Sequence, residues 1–254
     1  MTGDRFENQT VVVTGGSGGL GWAICLAFAD AGARVIAADL VAPSDEALGA
    51  AGGRISHLPL DVTDETAWVA LLDAVEADGR GLDVLVNNAG FYRPNVAFEE
   101  MPIELWRKHF AINADGVFLG CKHAIQRMKT RGKGAIINIG SGLSITASPT
   151  GAAYCGSKAA VLMTTHTAAA AAGRYGIRVN AVLPGAVPTT MLMGNMVAGE
   201  TEADFLDTMK SYSPLGRLAT PEDIARAVLF LADPVNRTIS GVHLPVDGGA
   251  MPGC

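Results

Sequence analysis

Thr10-Val11-Val12-Val13-Thr14-Gly15-Gly16-Ser17-Gly18-Gly19-Leu20-Gly21 is the stretch that decides the fold. Its first five residues are β-branched, the composition of a buried strand. Five of the next seven are glycine, and Trp22, Ile24, Leu26 and Phe28 then continue in an apolar pattern of helical length. Glycine admits positive φ and lets the backbone approach a bound group closely. The start of the helix supplies unpaired N–H groups and a partial positive charge. A glycine cluster alone is also a tight turn. Strand before and helix behind make it a loop suited to cradling phosphate.

Outward from this unit the same alternation repeats. Short, β-branched runs lie at Thr10–Thr14, Arg34–Asp39, Ile55–Leu60, Leu82–Asn87, Gly134–Ile139, Ile177–Leu183 and Ile239–Val246. They are apolar on both faces, as strands covered by helices on each side must be. Between them come helical stripes such as Thr66–Glu76, with Trp68, Leu71, Leu72 and Val75 on one side. The expectation is an α/β chain: a three-layer, doubly wound Rossmann fold with a seven-stranded parallel sheet and helices on both faces. Pro245 has no N–H to give a central ladder, so the last strand belongs at the sheet edge. No linker or repeat divides residues 1–254, which read as one domain.

Bulk properties narrow the function. The chain has 254 residues, 31 of them glycine, with 19 basic against 25 acidic side chains and a net charge of −6. Basic residues are scattered, which argues against a nucleic-acid groove. The polar start Met1-Thr2-Gly3-Asp4-Arg5 resembles no leader, and no apolar run is long enough to span a bilayer, so the expected location is cytoplasmic. Cys25, Cys121, Cys155 and Cys254 have no metal-ligand spacing. Cys25 and Cys121 read as small core residues, and neither zinc nor a disulfide framework is supported.

Asp39 ends the second run, 18 residues beyond Gly21. A carboxylate there accepts both ribose hydroxyls of NAD and repels the 2′-phosphate of NADP. NADP would call for a basic residue in the glycine loop or after the second strand, where Gly18 and Leu40 stand. Gly15, Ser17, Gly19, Leu20, Gly21 and Asp39 are therefore the expected dinucleotide site. Asp61-Val62, after the third run, suits an adenine ring or equally a helix start with Thr63 as cap. Asn87-Asn88-Ala89-Gly90 suits a cofactor floor formed by Asn88, Ala89 and Gly90, though a turn uses the same residues.

Tyr154 and Lys158, in Tyr154-Cys155-Gly156-Ser157-Lys158, share one helix face. A phenol titrates near ~10 in water. A lysine charge about 4 Å away, at an effective dielectric near 20, is worth roughly 4 kcal/mol, or about three pK units. That would make the phenol a usable base. An isolated pair of this kind is more often packing plus a solvated charge.

Together these pieces resemble the short-chain dehydrogenase/reductase family, in its single-domain branch. The resemblance rests on Thr14-Gly15…Gly19-x-Gly21, Asn87-Asn88-Ala89-Gly90, Asn113, Ser141, Tyr154…Lys158, Pro184-Gly185-Ala186-Val187-Pro188-Thr189 and Val246-Asp247-Gly248-Gly249, and covers nearly the whole length. It implies Tyr154 as general base in oxidation and general acid in reduction. Lys158 would hold the nicotinamide ribose and depress the tyrosine pKa, helped by the positive nicotinamide ring. Ser141, 13 residues before Tyr154, would hold the substrate oxygen. Asn113 would kink its helix and hold a water linking Lys158 to solvent. Pro184 and Gly185 would turn beneath the nicotinamide, with Val187 and Thr189 binding its carboxamide and the phosphate. Hydride would pass directly between nicotinamide C4 and the carbinol carbon, so no metal is called for. The five histidines read as surface or packing residues.

Two residues depart from or sit beside the family pattern. Gly140 stands where serine is common and would loosen its loop. Cys155 is expected to point elsewhere as inert packing. The segment 190–212 is the expected substrate lid, carrying Met191, Leu192, Met193, Met196, Val197, Phe205, Leu206 and Met209. Those side chains mould to an apolar ligand or pack a short helix onto the domain. Leu143, Ile145 and Phe91 should line the cleft, while Arg93 is an anion clamp or an exposed loop residue. The preferred substrate is a hydrophobic secondary alcohol or its ketone, alicyclic, aryl-alkyl or steroid-like. A carrier-bound 3-oxoacyl reductase would prefer NADPH and a basic docking face, against Asp39 and the net charge. A non-catalytic nucleotide-binding scaffold would be expected to lose Tyr154, Lys158 or Ser141. A homotetramer is expected, paired through helices at roughly 113–131 and 153–174, with no nucleic-acid or membrane partner.

Overall fold

β1 (Thr10–Thr14) is buried along its whole length and splits its side chains between two cores, Val11 and Val13 to one face and Val12 to the other. The computed structural model describes residues 5–251; Met1–Asp4 and Cys254 lie outside them. The further strands are β2 (Arg34–Asp39), β3 (Ile55–Pro59), β4 (Val84–Asn87), β5 (Gly134–Ile139), β6 (Ile177–Pro184) and β7 (His243–Val246). All pair in parallel, in the order β3-β2-β1-β4-β5-β6-β7. β7 is an edge strand, where the missing N–H of Pro245 costs no central ladder bond.

The helices are α1 (Gly19–Asp30), α2 (Asp45–Ala50), α3 (Glu65–Glu76), α4 (Ile103–Phe110), α5 (Gly116–Met128), α6 (Ala152–Ala172), α7 (Thr190–Met193), α8 (Glu202–Ser211) and α9 (Pro221–Ala232). Ile24, Phe28, Ile224 and Val228 of α1 and α9 fill the core on one face. Trp68, Leu72, Val117, Met128 and Val161 of α3, α5 and α6 fill the other. No helix among the described residues is long and apolar enough to cross a membrane.

Three differences from the sequence reading stand out. The helix expected from Asn113 begins at Ile103, behind Pro102 as cap, and Trp106 stacks on Phe110 one turn later at 4.8 Å. It passes through a π turn at Ala111–Asp115 before α5. The α3 cap is Asp64, whose carboxylate accepts from Thr66 N at 2.8 Å; Thr63 is instead held by Asp61. Finally, β7 starts four residues later than the apolar run, since Ile239 O and Gly241 N are spent on Asn180 and Val179.

One polar thread crosses the sheet. Asn87 and Asn138 face each other in register on β4 and β5, and Asn87 Nδ2 donates to Asn138 Oδ1 at 2.8 Å. Asn138 Nδ2 donates in turn to Thr165 Oγ1 of α6 at 2.9 Å.

Candidate active site

The carboxyl ends of β1, β2 and β4 meet at the glycine loop. Gly15 (φ 61°) packs so closely that an added Cβ would sit 2.9 Å from Ala89 Cα. At Gly21 it would lie 2.8 Å from Gly15 C, so only glycine lets α1 start this near the turn. Asn88 stitches the loop to β4: Nδ2 donates to Thr14 O at 2.9 Å and Gly15 O at 3.1 Å. Thr14 Oγ1 receives both Asn88 N and Ala89 N at 3.0 Å. Asp39, ending β2, accepts from Ser17 N at 3.1 Å.

These residues fit a dinucleotide. Ser17 Oγ is buried without a hydrogen-bond partner among the described residues, while Gly18 and Gly19 face open space at the start of α1. Open N–H groups at a helix start, an orphan hydroxyl and a carboxylate at the second strand end are the donor and acceptor set that a ribose and pyrophosphate require.

Asp61 and Val62 divide. The Asp61 carboxylate is engaged by Thr63 N and Oγ1 at 2.9 and 2.7 Å, while Val62 is buried against Gly116 and its carbonyl accepts from Trp68 Nε1 at 3.0 Å. Beyond β6, Gly185 N donates to Val246 O, and a Cβ there would lie 2.8 Å from Asp247 Cα. That contact joins the Pro184-Gly185 turn to the C-terminal segment. Val187 is buried, and Thr189 precedes α7 with its side chain uncommitted to capping.

The reactive groups converge at the ends of β4, β5 and the first turns of α6. Ser141 follows β5; its Oγ accepts from Leu143 N at 3.2 Å, and it is near enough to the Tyr154 phenol to hold that group's pKa down. Lys158 is buried, its Nζ donating to Ile139 O at 2.8 Å. Nζ also lies 3.7 Å from where a Gly90 Cβ would be. Asn113 is fully buried in the π turn, with Nδ2 donating to Phe91 O at 2.9 Å and to Ser157 Oγ at 3.0 Å. Its Oδ1 accepts from Phe91 N at 2.7 Å, so both amide hydrogens and one of the two oxygen lone pairs are taken by protein groups.

Burial sets the electrostatics of this pair. It pushes the Tyr154 phenol up to about 12; Ser141 opposes the rise, and nearby Tyr92 and Cys155 add to it. Burial likewise brings Lys158 down to about 8. Burial thus works on both partners against the depressed phenol that the four-residue spacing predicts.

Cys155 lies close enough to Tyr92 and Tyr154 to help raise both their pKa values. At Gly140 a Cβ would meet Leu183 Cδ2, so a serine there would require the Leu183 side chain to shift. Of the proposed lining, Phe91 and Leu143 are half-buried and Ile145 is exposed. Arg93 is exposed too, with its backbone N donating to His109 Nε2. In the lid, Phe205 is buried, Met193, Met196 and Met209 are half-buried, and Met191 and Val197 are exposed.

Sequence reasoning missed Tyr92 and His109. The Tyr92 ring lies 4.5 Å from that of Tyr154, and His109 is fully buried beside both Phe91 and Tyr154. The only signal was their position, two residues after Gly90 and one turn before Asn113.

The sheet order, the loop at β1 and the Ser141–Tyr154–Lys158 cluster form the arrangement expected of a nicotinamide-type oxidoreductase. A family profile described as "Enoyl-(Acyl carrier protein) reductase" matches residues 15–251. The chain is 38% identical to cis-4-hydroxycyclohexanecarboxylate dehydrogenase of Sinomonas cyclohexanicum, over 97% of this chain and 98% of the other. It is 39% identical to D-threitol dehydrogenase of Mycolicibacterium smegmatis, over 96% and 94%. A solved structure described as "ElxO with NADP Bound" matches with a TM-score of 0.88 at 30% identity, over 96% and 99%. The chain belongs to the short-chain dehydrogenase/reductase family. It is accordingly an oxidoreductase acting on CH–OH groups, for which a nicotinamide cofactor is expected.

Proposed function

We propose that this protein is an NAD-dependent dehydrogenase interconverting a hydrophobic secondary alcohol, alicyclic or aryl-alkyl, and its ketone. The observation that carries the reading is the Tyr154 phenol, which lies near Ser141 and Lys158 and meets the Tyr92 ring at 4.5 Å. The chemistry a nicotinamide supplies when bound is hydride exchange with the carbinol carbon. Ser141 holds the substrate oxygen, and Tyr154 takes its proton in oxidation and returns it in reduction. Lys158, anchored on Ile139 O, presents its remaining N–H donors to the nicotinamide ribose and beside Tyr154. Asn113 serves through its side chain, which fixes Phe91 and Ser157. The π turn it occupies is where backbone carbonyls leave the regular ladder and can hold the water of a proton relay.

Asp39 supports NAD over NADP, since its carboxylate would face the 2′-phosphate, and Leu40 and Val41 beside it offer no positive charge. The alicyclic relative supports the substrate class. The D-threitol relative makes a polyol the competing substrate, against which the aromatic lining of the cleft argues. A panel of cyclic alcohols, aliphatic alcohols and polyols, followed by NADH absorbance, tests the reading. Cyclic secondary alcohols should be preferred, and turnover of none of them would overturn it.

A further inference from the structure

The segment 91–96 leaves β4 past Gly90 with no helix or strand of its own, yet it is tied at both ends. Asn113 grips both backbone groups of Phe91, at 2.7 and 2.9 Å. His109, one helical turn earlier, accepts from Arg93 N through Nε2 at 3.2 Å, while its Nδ1 donates to Leu105 O at 2.8 Å. That bonding uses both ring nitrogens in the neutral tautomer, and burial holds the His109 pKa below its ordinary value. Farther along, Asn95 Nδ2 reaches Asn195 O of the lid segment at 3.4 Å.

Between the two clamps stands Tyr92. Its ring rests on that of Tyr154 at 4.5 Å with planes inclined by 46°, which puts Tyr92 next to the ring whose hydroxyl would receive a carbinol. Resting on the dehydrogenase reading above, we infer that Tyr92 is the specificity-determining wall of the alcohol site and that His109 is the positioning residue that holds it there. The argument for His109 is one of buried hydrogen bonding. Without the imidazole acceptor, Arg93 N would lose its partner at the edge of the core, and the segment would shift to find another. Tyr92 moves with it, because Arg93 is the next residue.

The test compares Tyr92→Ala, Tyr92→Leu, His109→Leu and His109→Gln with the wild type on cyclic alcohols of increasing ring size. Loss of the wall should move kcat/KM toward larger rings by at least about tenfold in both Tyr92 variants, mostly through KM. His109→Leu should move the ranking the same way, and His109→Gln, which restores an acceptor on a flexible arm, should recover most of it. A purely structural role for His109 would lower kcat for every alcohol alike and leave the ranking in place. Wild-type turnover of cyclic alcohols, with an unchanged ranking in both Tyr92 variants, overturns the inference while leaving the dehydrogenase reading intact. Absence of turnover by the wild type with any alcohol and either cofactor overturns that reading itself.

Discussion

The Lys158 ammonium lies 5.9 Å from the centre of the Tyr154 ring and is held by the Ile139 carbonyl at the end of β5. The lysine is thus anchored to the sheet, and its remaining N–H donors are free for other partners. Since burial alone drives Tyr154 upward and Lys158 downward, the pair is no ready-made base. A working phenolate near neutral pH needs a lysine kept charged and further positive charge in the cleft.

Tyr154→Phe should therefore keep its fold and bind NAD while losing about 10²–10⁴-fold or more in turnover. A second readout follows from the raised pKa. In the protein alone at pH 8, wild type and Tyr154→Phe should show no difference in phenolate absorbance. A difference band should arise when NAD is added. Near-normal turnover by the variant would overturn the assignment.

Lys158→Met should be inactive and yet more stable at pH 7. The folded pKa, about 8, lies below the ordinary 10.5. Between those values the unfolded chain binds the extra proton, so stability rises with pH across the window and is lowest where the buried amine is charged. Removing the amine should remove that penalty, on the order of 1 kcal/mol or more, seen as roughly 2–4 °C in Tm at pH 7. The gain should fade toward pH 10.

Asp39→Ser should weaken NAD binding and relax discrimination against NADP, measured by fluorescence titration with the reduced cofactors. The loop should loosen as well, because Ser17 N loses its acceptor. A wild type that prefers NADPH would contradict the reading of this carboxylate.

Within the substrate panel, each methylene a cyclic alcohol buries should add about 0.8 kcal/mol, roughly fourfold in kcat/KM, until the cleft is full. Met193→Ala and Met196→Ala should alter that ranking more than NAD affinity. A polyol that wins instead would mean that the half-buried lid methionines pack only against the protein.

Phe118 of α5 and Met163 of α6 are 54% and 66% exposed, large apolar side chains on the two helices expected to pair subunits. Light scattering should give a tetramer at micromolar concentration, and Phe118→Glu with Met163→Glu should reduce it to smaller species. A monomeric wild type would remove the idea.

Much of this architecture was legible in the sequence because parallel strands are short, apolar and separated by glycine turns. The ends of β1, β2 and β5 fall where the runs of apolar residues do. The Tyr154–Lys158 spacing was equally plain. Its electrostatics were not, since burial is a property of the whole cleft rather than of four residues on a helix. Tyr92 and His109 were hidden for a related reason: each acts across contacts between separate segments that no local pattern records. The start of α4 was obscured by the polar composition of its first turns.

The amide pair Asn87–Asn138 has a consequence for how the chain finds its alignment. Strands that are apolar on both faces can slide by two residues and still bury comparable side chains. In such a shifted sheet, Asn87 and Asn138 would each be buried opposite a hydrocarbon, and Thr165 would lose its donor. In the folded protein the thread therefore favours the native alignment, in which the Asn88 turn and the Ser141 loop follow paired strand ends. Replacing both asparagines by leucine could preserve the core while producing chains that fold with these two loops out of step.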